Sequence, residues 1–235
     1  MISSDYLGKE LDIFKEATHW KNYWINAIKP YVKGNILEVG SGIGVNSKLL
    51  IEKIDDIDRL TCIEPDKKLA DKAVKYLKNK EVEIKSCYLK DLNMSYLYDT
   101  ILYIDVMEHI FNDEEEINLA KSHLNVNGYL IILVPAKNYL YSSFDKAIGH
   151  YRRYSKQMLE NSICEGLIKK KLFYLDSMGL IASMFNRFFL KQEYPTPRQI
   201  MLWDRIFIPL SKISDLMLLY STGKSLIGIW EKTKV

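Results

Sequence analysis

Asn35-Ile-Leu-Glu-Val-Gly-Ser-Gly-Ile-Gly44 is the stretch whose reading decides the fold. Asn35–Val39 reads as a buried strand. Gly40, Gly42 and Gly44 then make a turn whose backbone can approach a ligand closely, and Val45–Lys53 has helical periodicity. A strand, a glycine turn and a helix in immediate succession open a βα unit of a doubly wound α/β fold.

Working outward, short apolar and β-branched runs alternate with amphipathic charged stretches. The predicted strands are Arg59–Ile63, Glu83–Ser86, Thr100–Ile104, Tyr129–Val134, Lys170–Asp176 and Ser225–Trp230. Lys67–Lys78 places Leu69, Ala73, Val74 and Leu77 on one helical face, and Asn125–Gly128 is a turn signal ahead of the fifth strand. An aromatic-rich helical segment, Leu7–Ile28, precedes the first strand.

Two carboxylates sharpen the reading of the glycine turn. Glu38 stands two residues before Gly40, and Glu64, in Cys-Ile-Glu-Pro-Asp66, ends the second strand. A carboxylate at that strand tip can accept hydrogen bonds from both hydroxyls of a ribose. A dinucleotide would also need its pyrophosphate against the helix N-terminus, yet the usual third glycine of that motif is Val45 here, and Glu38 would repel a phosphate. The charge pattern suits the cationic cofactor S-adenosyl-L-methionine better than a nicotinamide dinucleotide.

ILEVGSGIG, CIEPD, ILYIDVMEHI and GYLIILVP look like the first, second, fourth and fifth motifs of class I S-adenosylmethionine-dependent methyltransferases, a resemblance covering about residues 15–175. It implies a Rossmann-like, doubly wound sheet of seven mostly parallel strands with a reversed last strand, an N-terminal helix and a helical C-terminal insertion. It further implies S-adenosyl-L-methionine as cofactor and S-adenosyl-L-homocysteine as product. Glu38, Gly40, Gly42 and Gly44 would surround the methionine part, and Glu64 with Pro65 the ribose. Many relatives carry an acid after the third strand for the adenine amino group, whereas this chain reads Ser86-Cys-Tyr-Leu-Lys-Asp91. Backbone atoms near Leu89 are expected to read the adenine instead, and Asp91 equally suits a turn cap.

The fourth strand runs into Tyr103-Ile-Asp-Val-Met-Glu-His-Ile110 at the switch point of the sheet. Asp105 is expected to face the cofactor. His109 is either a base for the acceptor nucleophile or a histidine that holds the loop. No metal is expected, because Asp105, Glu108 and His109 have no further ligand cluster near them in sequence. After the fifth strand, Asn138–Ser155 forms a long polar and aromatic connection, and its Gly149-His-Tyr-Arg-Arg-Tyr154 resembles a GHxRRY signature of methyltransferases associated with glycans or secondary metabolites. Tyr141, His150, Arg152 and Arg153 are the expected acceptor-binding residues, His150 being a second candidate base. His123 reads as solvated and His19 as packing.

Composition bounds the alternatives. The chain has 235 residues and a formal net charge of +3, too small for the footprint of a dedicated nucleic-acid binder. Cys62, Cys87 and Cys164 are isolated and odd in number, which argues against a disulfide framework or structural zinc and suits a reducing cytoplasm. Neither a signal peptide nor a membrane span is read. One domain is expected, with a cofactor core over about residues 30–175 and a helical cover on the acceptor side over about 178–220. That apolar cover also allows peripheral membrane or dimer contact. The expected activity is methyl transfer to a small-molecule or glycan-type acceptor, anionic or sugar-linked, at oxygen. A nicotinamide-dependent oxidoreductase and a non-catalytic cofactor-binding scaffold are the competing readings.

Overall fold

The computed structural model describes residues 9–78, 82–190 and 194–234. In chain order they form α1 (Lys9–Phe14), α2 (Thr18–Ile28), β1 (Gly34–Val39), α3 (Val45–Lys53), β2 (Ile57–Ile63), α4 (Lys67–Tyr76), β3 (Val82–Lys85), β4 (Tyr98–Ile104), α5 (Asp113–Ser122) and β5 (Leu124–Pro135). There follow α6 (Ser143–Ala147), α7 (Lys156–Asn161), β6 (Leu167–Leu175), α8 (Ser177–Phe185), α9 (Pro197–Leu202), α10 (Ile208–Met217) and β7 (Ser225–Lys232). The strands make one seven-stranded sheet in the order β3-β2-β1-β4-β5-β7-β6. Its pairings are parallel except that β7 runs antiparallel to both neighbours, the reversed last strand that the resemblance implies.

The central strands are apolar on both faces because both faces are covered. Along β4, Ile101 and Tyr103 point to one side while Leu102 and Ile104 point to the other, and all four are buried. One layer packs Ile36, Leu102, Ile104 and Ile131 against Trp24 of α2 and Leu50 of α3. The opposite layer packs Leu37, Tyr103, Ile132 and Trp230 against Ile117 of α5 and Leu159 of α7.

Helix starts follow local chemistry. The Asp66 side chain accepts from the backbone N–H groups of Lys68 and Leu69 at the head of α4, and Asn112 accepts from that of Glu115 in α5, whose first turn is wholly acidic.

Four expectations need revision. The N-terminal segment is two helices, α1 and α2, and Leu7 lies outside the described residues. Asn125–Gly128 does not precede the fifth strand but lies inside β5, where Asn127 takes a positive φ of 64° without ending the pairing. His123 is fully buried at the end of α5, its Nδ1 3.1 Å from the Tyr96 carbonyl oxygen. Asp176 leaves β6 in a left-handed conformation and caps α8 by accepting from Gly179 N–H at 2.8 Å.

The stretch between β6 and β7 is helical, as expected, and buried aspartates bind it to the rest. Asp215 of α10 accepts from the Tyr23 hydroxyl at 2.8 Å and from the backbone N–H groups of Asp176 and Ser177. Asp204 accepts from the backbone N–H groups of His19 and Trp20, holding the head of α2. Among the described residues no helix is long and apolar enough to cross a membrane.

Candidate active site

Strands β1 and β4 are neighbours, with Val39 paired to Tyr103, so the glycine turn and the segment after Ile104 meet at the carboxyl edge of the sheet. Gly40, Gly42 and Gly44 have φ of +69°, +55° and +81°. At Gly40 glycine is required twice over, since a Cβ there would also lie 2.6 Å from Val106 Cγ2. Hydrogen bonds from the N–H groups of Gly40 and Ser41 to the Ile63 carbonyl pin the turn to the end of β2.

Glu38 stands behind this turn. It is fully buried, accepts a hydrogen bond from Ser47 Oγ at 2.5 Å and lies 3.6 Å from Cys62 Sγ. Burial pushes its pKa up to about 7 against the two hydrogen bonds. It therefore braces the turn and the start of α3 from behind, and does not line the neighbouring cavity. Glu64 follows β2 and grips the loop directly: Oε2 accepts from Gly42 N–H and Oε1 from Asp66 N–H, each at 2.9 Å. Burial raises its pKa, opposed by those two bonds. Pro65 beside it is exposed. Leu89 is buried in a single short turn, and Asp91 accepts from Tyr88 N–H at 3.0 Å, so it closes that turn.

A cavity of about 990 Å³ opens beside the glycine turn. Gly40 and Gly42 line one end, and Trp20, Trp24, Phe185, Trp203 and Phe207 form an aromatic wall. Asp105, Glu108, His109, His150, Arg153, Lys21 and Lys224 supply its polar side. Asp105 has a φ of 56° and lies exposed on the cavity that it lines. Desolvation of its carboxylate pushes its pKa up to about 6, against the pull of His150, Lys21, Lys224 and Arg153. Burial, then the neighbouring His150, lowers His109 to about 4, so its imidazole is neutral at pH 7. Burial brings Lys21 down to about 8.

The Gly149–Tyr154 segment is fastened onto the Glu108–Asp113 segment. Tyr151 N–H donates to the Glu108 carbonyl at 2.8 Å, and the His109 and His150 rings meet edge to face at 4.6 Å between centroids. The Tyr154 hydroxyl reaches Asp113 Oδ2 at 2.7 Å and the Met107 carbonyl oxygen at 3.2 Å. Beneath them lies fully buried Asp145, which accepts from Arg153 through Nε (2.8 Å) and Nη2 (3.1 Å) and stands 2.9 Å from His150 Nδ1. Burial opposes its charge, but His150 and Arg153 together hold its pKa well below the usual carboxylate range.

The structure thus brings Asp105, His109, His150 and Arg153 together on one cavity. It does not bring Arg152, whose guanidinium pairs with Asp113 at 2.9 Å and with the Phe111 carbonyl on the outside. Tyr141 also stays out of the cavity, donating its hydroxyl to the His150 carbonyl at 2.6 Å. Sequence reading passed over Lys21, Lys224 and Asp145. Asp145 had a usable signal in its place five residues before His150 and eight before Arg153. The two lysines had none, being brought in by elements at opposite ends of the chain.

A family model described as a methyltransferase domain matches residues 18–192. No curated protein matches the sequence. Among solved structures, a chain from the complex between the Trm112 methyltransferase activator of Haloferax volcanii and a methyltransferase superposes with a TM-score of 0.68 at 14% identity, over 96% of this chain and 95% of that one. The N-methyltransferase NodS from Bradyrhizobium japonicum, solved with S-adenosyl-L-homocysteine, gives 0.58 at 12% identity over 94% and 88%. The plantazolicin methyltransferase BpumL, also solved with S-adenosyl-L-homocysteine, gives 0.58 at 15% identity over 99% and 89%. At these identities the likeness is one of fold.

Proposed function

Because this chain belongs to the methyltransferase domain family, whose model spans residues 18–192, we propose that it transfers a methyl group from S-adenosyl-L-methionine to a small-molecule or glycan-type acceptor, at oxygen. The observation that carries this reading is the continuity of one cavity from the glycine turn to Asp105, His109 and His150.

The donor set fits the cofactor. Both Glu64 oxygens already accept one backbone N–H each and retain lone pairs for two ribose hydroxyls. Gly40 and Gly42 present backbone without side chains to the cavity, and Asp105 offers negative charge for a cation. When bound, S-adenosylmethionine supplies a methyl group on a sulfonium, an electrophile that reacts by in-line displacement. The protein's main contribution to such a reaction is alignment, worth up to roughly 7–11 kcal/mol for well-oriented partners. Here the glycine turn and Glu64 would fix one partner while the aromatic wall and the polar side fix the other.

An oxygen acceptor must lose a proton, and the polar side is rich in groups able to receive it, with His109 and His150 as the candidates. Lys21, Lys224 and Arg153 favour an acceptor that carries an anionic group. The cofactor core and the helical cover together constitute one working domain in this reading.

Calorimetric titration with S-adenosyl-L-homocysteine, beside NAD, tests it. Micromolar binding of S-adenosyl-L-homocysteine alone is expected, whereas binding of NAD alone, or of neither, overturns the proposal.

A further inference from the structure

Glu108, His109 and His150 each offer one ligand atom, and these three atoms lie within 4.8 Å of one another at the edge of the cavity. We propose that they form a binding site for a divalent transition-metal ion, which would hold the acceptor oxygen of the reaction proposed above.

The hydrogen-bond pattern around His150 carries the argument. Nδ1 faces Asp145 Oδ1 at 2.9 Å, so its proton points at that carboxylate and Nε2 is left with a lone pair. That lone pair is aimed at another acceptor, Glu108 Oε1, 3.7 Å away. A cation placed between these two atoms would satisfy both of them at once. A separation of 3.7 Å is too long for a hydrogen bond but close to the roughly 3.3–3.6 Å between neighbouring ligands of a four-coordinate ion with bonds of about 2.0–2.2 Å.

Protonating His150 Nε2 would answer only one of these lone pairs. Glu108 is 1% exposed, and its other oxygen, Oε2, is buried without a hydrogen-bond partner. A divalent ion can draw on both oxygens of that carboxylate, whereas a single proton cannot. Asp145 is also not calling for a second positive charge, since Arg153 already binds it through two nitrogens. Its remaining contact to His150 is the carboxylate–histidine arrangement that fixes a metal-ligating imidazole in its tautomer and orientation.

Two imidazoles with one carboxylate suit zinc, cobalt, manganese or iron better than magnesium or calcium, which favour all-oxygen sites. Three protein ligands leave coordination positions open toward the cavity. An acceptor hydroxyl in one of them would release its proton more readily, as metal-bound water does.

The test is titration of chelator-stripped protein with Co²⁺, followed by visible absorbance, with calorimetric titration of S-adenosyl-L-homocysteine on the same preparation. The expected result is one Co²⁺ per chain, with d–d bands and no thiolate charge-transfer band. Affinity should fall at least tenfold in Glu108→Gln and in His109→Asn, and by roughly 10–100-fold in Asp145→Asn, where only the outer partner changes. Circular dichroism melting of each variant separates loss of ligand from loss of fold. No Co²⁺ uptake, or uptake undiminished in folded Glu108→Gln and His109→Asn, overturns the site, even where S-adenosyl-L-homocysteine binds. Uptake without S-adenosyl-L-homocysteine binding supports the site and overturns the methyltransferase reading instead.

Discussion

The Tyr154 hydroxyl lies 2.7 Å from Asp113 Oδ2, and this contact ties the loop after β5 to the head of α5. Tyr154 is fully buried, while Asp113 is also held by Arg152 at 2.9 Å. Tyr154→Phe should therefore destabilise the protein by about 1–2 kcal/mol in urea unfolding, the worth of a hydrogen bond to a charged group less what Arg152 retains. Affinity for S-adenosyl-L-homocysteine should stay within about twofold, because neither residue lines the cavity.

Glu64→Ala removes the carboxylate that accepts from Gly42 and Asp66 and the proposed ribose acceptor. Two hydrogen bonds to a charged group correspond to roughly 3–6 kcal/mol, or a loss of about 10²- to 10⁴-fold in S-adenosyl-L-homocysteine affinity by calorimetry. Unchanged affinity would place the ribose elsewhere.

Gly40→Ala combines two faults, a positive φ of +69° and a Cβ 2.6 Å from Val106 Cγ2. The conformational part costs roughly 1–2 kcal/mol and the clash adds to it. Adding Val106→Ala should recover part of the lost melting temperature by removing the clash, while the conformational part persists. Full recovery would show that φ at position 40 carries no cost.

Glu38 imposes a pH dependence whose sign is fixed. Its pKa is about 7 in the folded protein against 4.5 for the free side chain. Between those values the folded state keeps a proton that the unfolded chain has released, so stability falls as pH rises, by up to roughly 3 kcal/mol across the window. Glu38→Gln should flatten that part of the profile, measured as urea midpoints at about pH 5 and about pH 8 for both proteins. An identical slope in the two would mean that Glu38 is ionised in the fold.

Much of this architecture was legible locally. β-Branched runs marked the strands, and the glycine turn marked the carboxyl end of β1 beside the cavity, because these features depend on neighbours in the chain. His123 and Arg152 were misread for the opposite reason. A histidine in the polar run Ala120-Lys-Ser-His gives no sign that Tyr96 will cover it, and two adjacent arginines do not say that one will reach Asp113 outside and the other Asp145 inside. The charged network of Asp145, Asp176, Asp204, Asp215, Lys21 and Lys224 is mostly set by tertiary partners. Asp204 meets Trp20 and Asp215 meets Tyr23 across more than 180 positions, a distance over which no periodicity carries information. Glu108 and His150 likewise meet only in the fold, and no pattern in the sequence pairs them.

Leu175 and Ser225 are paired neighbours on β6 and β7, so the whole cover between them leaves the sheet and returns to it at one point. A segment with adjoining ends can be lengthened, shortened or exchanged at little topological cost, since loop-closure entropy grows only with the logarithm of length. The first five strands and the glycine turn contain no part of that excursion. Descent with modification can thus reshape that wall of the cavity as a cassette, leaving the order of the sheet and the glycine turn unaltered.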